Sequence, residues 1–266
     1  MMLEAGAIAL GKFGQVDTRA KADFSLVTDA DFEVESLLQK RLGETQKDGY
    51  FLGEESIAGK SESYIEESLK GEAWVVDPID GTVNYASGLG LWGISVGLME
   101  DSHFSHGCIY LPALGELFIS VGDGVEHGRV EDGKIVRRVK LTGEKILDND
   151  HALIAITQSL SKRGRIDRPN PVHTIAAAVY PLSQIVRGAY LAYIGKLKLW
   201  DVAGGLPLAH RVGLEVGFID GRRMNKRIDG GDFHLAPGLP QRWGVCDLMV
   251  ICRPDMFDTI CHSVEP

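Results

Sequence analysis

Three acidic stretches hold the most chemistry in this 266-residue chain: Gly53-Glu54-Glu55-Ser56, the run Trp74-Val75-Val76-Asp77-Pro78-Ile79-Asp80-Gly81-Thr82, and Leu199-Trp200-Asp201-Val202-Ala203. Each sits at the end of an apolar run, so carboxylates from distant segments can converge. Four carboxylates brought together cannot all stay ionised unless a cation neutralises them. All-oxygen ligation selects Mg²⁺ or Mn²⁺ rather than zinc. In the second stretch, Pro78 has no N–H and stiffens the exit from a strand. Asp77 and Asp80 can then both reach metal, leaving the Ile79 carbonyl free to act as a ligand. Gly81 and Thr82 fall where a short helix would begin, so their N–H groups can hold a phosphate oxygen. Asp-Gly-Thr alone also fits a plain turn and N-cap; the two other clusters favour the metal reading.

The elements that must position these groups read as follows. The start, MMLEAGAIALGKFGQ, is one amphipathic helix, and residues 29–42 show helical spacing (Phe32, Val34, Leu37, Leu38, Leu42) after Thr28, a possible N-cap. Apolar runs at 50–52, 73–76, 91–99, 105–110 and 116–121 read as strands, and the Gly/Asp-rich 121–133 as hairpin turns. Further on, 152–156, 189–194 and 248–252 read as strands, and 172–187, 202–212 and 254–264 as helices. Antiparallel strands followed by alternating α and β suggest two subdomains. These are an α+β part over 1–145 with most of the carboxylates and an α/β part over 146–266 with Asp201 and the segments that would face substrate.

In this order and spacing, GEES, WVVDPIDGTVNY and WDVAGG resemble the inositol monophosphatase family of lithium-sensitive, magnesium-dependent phosphatases. The segment from Lys21 to Asp31 resembles that family's early K…LVT…D motif, and the likeness runs from about residue 5 to the end. It implies a layered αβαβα sandwich, commonly a homodimer. It also implies a phosphomonoesterase acting on inositol monophosphate or a related small sugar or polyol phosphate. By resemblance, Glu54 and Asp77 with the Ile79 carbonyl hold a first metal, and Asp77, Asp80 and Asp201 a second. Glu54 would also line a weaker third site, and Gly81 and Thr82 would bind the phosphate. Asp31 resembles the acidic partner of that threonine, a pair that orients the attacking water, with Glu54 as the competing base. Such chemistry needs a metal to lower the pKa of a water and two ions to clamp an in-line displacement. Glu55 is either a supporting neighbour or a surface carboxylate.

Several positions depart from the pattern. Where inositol-specific members have a glutamate that contacts ring hydroxyls, this chain has Ile194, followed by Gly195-Lys196-Leu197-Lys198-Leu199. The usual Gly-Ser-Ala is His173-Thr174-Ile175-Ala176. These changes put myo-inositol in doubt and leave histidinol phosphate, fructose 1,6-bisphosphate or 3′-phosphoadenosine 5′-phosphate as same-family alternatives. A non-catalytic metal- or phosphate-binding regulator is the rival of another class. Asn84 resembles the inositol and sugar branch. Lys196 and Lys198 are either solvated lysines or contacts for a second anionic group; residues 221–227 are an exposed loop or a substrate rim. Only 20 residues precede Lys21, so the first helix is short or begins before residue 1.

Composition narrows the alternatives. The formal charge is -9, which leaves no general footprint for nucleic acid. The 32 glycines exceed the usual ~7% and suggest tight turns or close backbone approach. Cys108, Cys246, Cys252 and Cys261 form no CxxC pair and read as reduced thiols of a cytoplasmic protein. No signal peptide is expected. The uncharged stretch 81–99 has five glycines and makes a poor membrane span. Gly88–Gly93 matches GxGxxG and Gly93–Gly97 matches GxSxG, but both lie in or before a strand, the wrong context for a dinucleotide turn or a nucleophile elbow at Ser95.

Overall fold

The computed structural model describes residues 1–15, 17–21, 26–46, 49–143 and 149–266. The chain opens with helix α1 (Met2–Lys12), a small hairpin of β1 (Thr18–Ala20) and β2 (Leu26–Thr28), and helix α2 (Asp29–Thr45). Then come β3 (Tyr50–Gly53), α3 (Glu62–Lys70), β4 (Glu72–Asp80), α4 (Thr82–Ala86), β5 (Gly93–Glu100), β6 (His103–Leu111), β7 (Glu116–Val121), β8 (Gly124–Glu131) and β9 (Lys134–Leu141). The second half contains β10 (Leu153–Ile156), α5 (Gln158–Arg163), β11 (Arg165–Ile166), β12 (Val172–Thr174), α6 (Val179–Val186), β13 (Tyr190–Gly195), α7 (Leu199–Ala203) and α8 (Leu206–Arg211). It closes with β14 (Glu215–Phe218), β15 (Met249–Cys252), α9 (Phe257–His262) and β16 (Val264–Glu265).

Strands β3 to β9 form one seven-stranded sheet in sequence order, parallel only between β3 and β4. The second sheet runs β12-β10-β13-β15-β14, with β12, β10 and β13 mutually parallel. Helices α1 and α2 cover one face of the large sheet; α6, α7 and α8 fill the space between the two sheets, and α9 packs on β15. The result is a layered αβαβα sandwich. The alternation of a strand divides the core in two. Ala73 and Val75 of β4 enter the apolar cluster between the sheets, while Val76 joins the cluster under α1 and α2.

Four expectations need correction, the first being the helix over 254–264, which is only Phe257–His262, with Val264 already in β16. Residues 121–133 are not only turns, since Gly124–Glu131 is a ladder strand with Val125 fully buried. Lys134–Leu141 also forms a strand, hidden in the sequence because its charges belong to an edge, where they discourage further pairing. Residues 172–187 are not one helix. Val172 and Thr174 pair with β10, and α6 starts at Val179, two residues before Pro181. A proline fits only the first helical turn, where its missing N–H has no partner to lose. The single helix expected over 202–212 is two short ones, α7 and α8, separated at Gly204 and Gly205. The boundary placed between residues 145 and 146 lies outside the described residues. Among the described residues, no helix is long and apolar enough to cross a membrane.

Candidate active site

In a regular strand Asp77 and Asp80, three residues apart, would point to opposite faces. Here β4 carries an irregularity. Asp77 pairs with Ser95 but Asp80 pairs with Gly93, so one extra residue is accommodated around Pro78 and Ile79. A bulge of this kind re-aims side chains, and it brings both carboxylates to one side. Asp201 arrives from the third residue of α7. Carboxylate oxygens of Asp77, Asp80 and Asp201 all lie within 4.8 Å of one another. Glu54 follows β3, whose last residue pairs with Val76, and its N–H donates to the Val76 carbonyl at 3.1 Å. That bond sets Glu54 beside Asp77.

The electrostatics of this cluster are those expected of a cation site. Asp77 is 2% exposed. Burial raises its pKa well above the usual aspartate value, and the charges of Glu54, Asp80 and Asp201 raise it further. Asp80 is raised by burial and by Asp201, against the Val179 N–H that donates to its Oδ2 at 2.6 Å. Asp201 is pushed up to about 7, mainly by burial, although the Lys198 N–H donates to its Oδ2 at 2.8 Å. Asp77 Oδ1 is buried with no hydrogen-bond partner. An orphaned buried carboxylate oxygen costs free energy, and a hard divalent cation relieves both this and the mutual repulsion. The donor set therefore fits such a cation.

Gly81 takes φ 88° and caps α4. A Cβ there would lie 2.7 Å from the Ala177 Cβ, so only glycine allows the turn that presents the first N–H groups of α4. The Thr82 hydroxyl donates to the Ile79 carbonyl at 3.1 Å, leaving that oxygen a second lone pair. Asp31 is buried at the start of α2, where its Oδ2 accepts from both the N–H (2.8 Å) and hydroxyl (2.6 Å) of Thr28. Its pKa is pushed up to about 6, chiefly by burial. Asp31 and Thr82, paired by resemblance, are thus each held by a local partner.

Glu55 proves to be a supporting group: its side chain is 4% exposed and accepts from Lys21 Nζ at 2.6 Å, while Glu54 accepts from the same ammonium at 3.1 Å. Burial works against that ammonium, but the two carboxylates raise its pKa above the usual lysine value. Beside these groups opens a cleft of about 910 Å³ bordered by Lys21, Lys196, Lys198, Arg242 and Trp243. A smaller notch of about 290 Å³ is lined by Asp80, Asp201, Thr157, Ser159 and Lys196. Ile194 is fully buried between Ile156 and Val250. His173 Nδ1 lies 2.6 Å from the Tyr190 hydroxyl. Arg222 and Arg223 of the 221–227 loop are tied to Asp232 and Asp258. Asn84 donates to the Leu91 carbonyl at 2.7 Å and holds the turn after α4.

Two positioning residues escaped the sequence reading. Glu35, on the buried face of α2, accepts from the Glu55 N–H at 2.9 Å and so fixes the Glu54-Glu55 turn. The signal was a carboxylate falling on the apolar stripe with Val34, Leu38 and Leu42. Ser95, fully buried in β5, donates to the Trp200 carbonyl (2.9 Å) and accepts from the Gly204 N–H (3.0 Å). It clasps α7 on either side of Asp201, as structural glue and not as a nucleophile. Ser95→Ala leaves both backbone groups without that partner. We expect a loss of about 1–3 kcal/mol in urea unfolding, accompanied by weaker metal binding in calorimetry. An unchanged unfolding midpoint would show that the clasp contributes nothing.

The model of the inositol monophosphatase family matches residues 2–242. An inositol-1-monophosphatase of Bacillus subtilis is 29% identical over 217 residues, 77% of each chain. A histidinol-phosphatase of Mycobacterium tuberculosis is 40% identical over 105 residues, covering 39% of this chain and 38% of that one. Among solved structures, a Thermotoga maritima IMPase superposes with a TM-score of 0.71 at 19% identity, covering 98% of this chain and 92% of its own.

Proposed function

Because the chain belongs to the inositol monophosphatase family and is a phosphatase, we propose that it is a Mg²⁺-dependent phosphomonoesterase acting on a small sugar or polyol phosphate. The observation that carries this reading is the convergence of Asp77, Asp80 and Asp201, with an orphaned Asp77 oxygen, close to the glycine turn at Gly81 and Thr82. Two or three divalent ions would be held by Glu54, Asp77, the Ile79 carbonyl, Asp80 and Asp201, with Mn²⁺ able to substitute. Bound there, the ions supply Lewis acidity toward the phosphoryl oxygens and lower the pKa of a water.

The protein's own groups do the rest. The Gly81 and Thr82 N–H groups hold the phosphate oxygens at the start of α4. Asp31, fixed by Thr28, and Thr82 face the water that attacks, and Glu54 is the alternative base. The ion pair from Lys21 to Glu54 and Glu55 fixes the outer edge of the cluster. Four cysteines without disulfides suit a cytoplasmic enzyme, and the resemblance adds a homodimer and lithium sensitivity. Phosphate release should be measured with and without Mg²⁺ on inositol 1-phosphate, fructose 1,6-bisphosphate, histidinol phosphate and 3′-phosphoadenosine 5′-phosphate, with a lithium arm. Mg²⁺-dependent turnover of at least one is expected. Turnover of all four independent of metal would sink the reading.

A further inference from the structure

We propose that the alcohol half of the substrate carries a second anionic group, a carboxylate or a further phosphate, and that Lys196 is the residue that selects it. The proposal rests on the phosphatase reading above and deepens it. Four cations border the cleft, and three are committed. Lys21 is bonded to Glu54 and Glu55, Lys198 lies over the Trp200 ring at 5.5 Å, and Arg242 grips Glu62 through both Nη atoms at 2.8 and 2.6 Å. Lys196 is exposed and has no hydrogen bond or ion pair among the described residues.

Its backbone is held in place although its side chain has no hydrogen bond or ion pair among the described residues. Lys196 directly follows β13, and Gly195 lies so close to Thr157 that a Cβ would stand 2.1 Å from the Thr157 Cγ2. The Thr157 N–H also donates to the Ile194 carbonyl at 3.1 Å. The exits of β10 and β13 are thereby locked together, setting Lys196 beside Thr157 and Ser159, whose hydroxyl oxygens lie 3.1 Å apart. Lys196 borders both the large cleft and the notch that holds Asp80 and Asp201. A substrate whose phosphate occupies Gly81 and Thr82 has space for its alcohol bounded by this ammonium and two hydroxyls. In a chain of charge -9, the carboxylates would otherwise repel a second anion. Recognition of neutral ring hydroxyls has no support at Ile194, which is buried and apolar.

The test compares esters that share a skeleton: glycerol 2-phosphate against 2-phosphoglycerate, and fructose 1-phosphate against fructose 1,6-bisphosphate. With Mg²⁺ and low salt, kcat/KM should favour the more anionic member of each pair by roughly 10-fold or more. Lys196→Gln should reduce that ratio by about the same factor, and Lys196→Arg should keep most of it. Calorimetric Kd values for the same pairs, with Ca²⁺ replacing Mg²⁺ so that binding is read without turnover, should show the same ratios. A wild-type ratio near one, or equal ratios in wild type and Lys196→Gln, would overturn the proposal. Absent Mg²⁺-dependent turnover on these four esters and on the phosphates of the preceding test, with the calorimetric ratios intact, would overturn the reading of a Mg²⁺-dependent sugar or polyol phosphomonoesterase and uphold the Lys196 subsite.

Discussion

Asp77→Asn is expected to reduce turnover by roughly 10³-fold or more, equivalent to about 4 kcal/mol of transition-state stabilisation, while leaving the fold intact. The fold should survive because Asp77 receives no hydrogen bond at Oδ1 that the amide would break, and because the substitution removes one member of a mutually repelling group. The metal-free variant should therefore melt no lower than the metal-free wild type. What it should lose is the response to Mg²⁺. An ion that binds only the folded state adds about 2.7 kcal/mol at 100 times its Kd, and most of that shift should vanish. The pH dependence gives the same experiment a sign. Asp201 is held near 7 in the metal-free fold, against 3.8 for an ordinary aspartate. The folded state then binds more protons than the unfolded one, so metal-free stability falls as pH rises from about 4 to 7. Thermal melts of both proteins, with and without Mg²⁺, check all of this. A variant that keeps near-normal turnover or a full Mg²⁺ shift would show that Asp77 is not a ligand.

Gly97→Ala should be nearly as damaging, although Gly97 touches no reacting group. A Cβ at Gly97 would lie 2.3 Å from the Ala203 carbonyl oxygen and 2.6 Å from its carbon. These are backbone atoms at the end of α7, which cannot rotate away. Overpacking of this kind costs typically about 1–3 kcal/mol, and relief requires α7 to retreat from β5. Asp201 rides on α7, and a displacement on the order of 1 Å in a positioned group can cost about 10²-fold in rate. We expect a lower urea midpoint and a roughly 10²-fold loss in kcat, with weakened Mg²⁺ binding. Unaltered kinetics would mean that α7 tolerates the shift without moving Asp201.

Gly97 also shows which parts of the molecule were legible in the sequence. Glu54, Asp77, Asp80 and Asp201 were readable because carboxylates at the ends of apolar runs have few structural uses, and three of them meet within 4.8 Å. The strands at 50–53 and 116–121 were readable because their apolar runs have clear ends. The GxSxG match had no such transparency. Its residues form the surface on which α7 lies, with Ser95 as clasp and Gly97 as clearance, and neither function depends on local pattern. Edge strand β9 was hidden for a related reason, since its charges answer to solvent and not to a core. The bulge at Pro78 and Ile79 was only partly visible: the proline signalled a stiff exit, but the register shift against β5 is a property of the pair.

The bond from the Val179 N–H to Asp80 joins residues 99 positions apart, and that separation has a consequence for how the molecule comes into being. Closing a loop of that length costs on the order of 4 kcal/mol in chain entropy before any contact rewards it. At roughly 5–20 residues per second of synthesis, Asp80 emerges many seconds ahead of the helix that will cap it, and Asp201 emerges later still. Through that interval the nascent chain holds Glu54, Asp77 and Asp80 without the Val179 N–H and without Asp201. The full carboxylate cluster can therefore close on an ion only late, once Asp201, about three quarters of the way along the 266-residue chain, has been made.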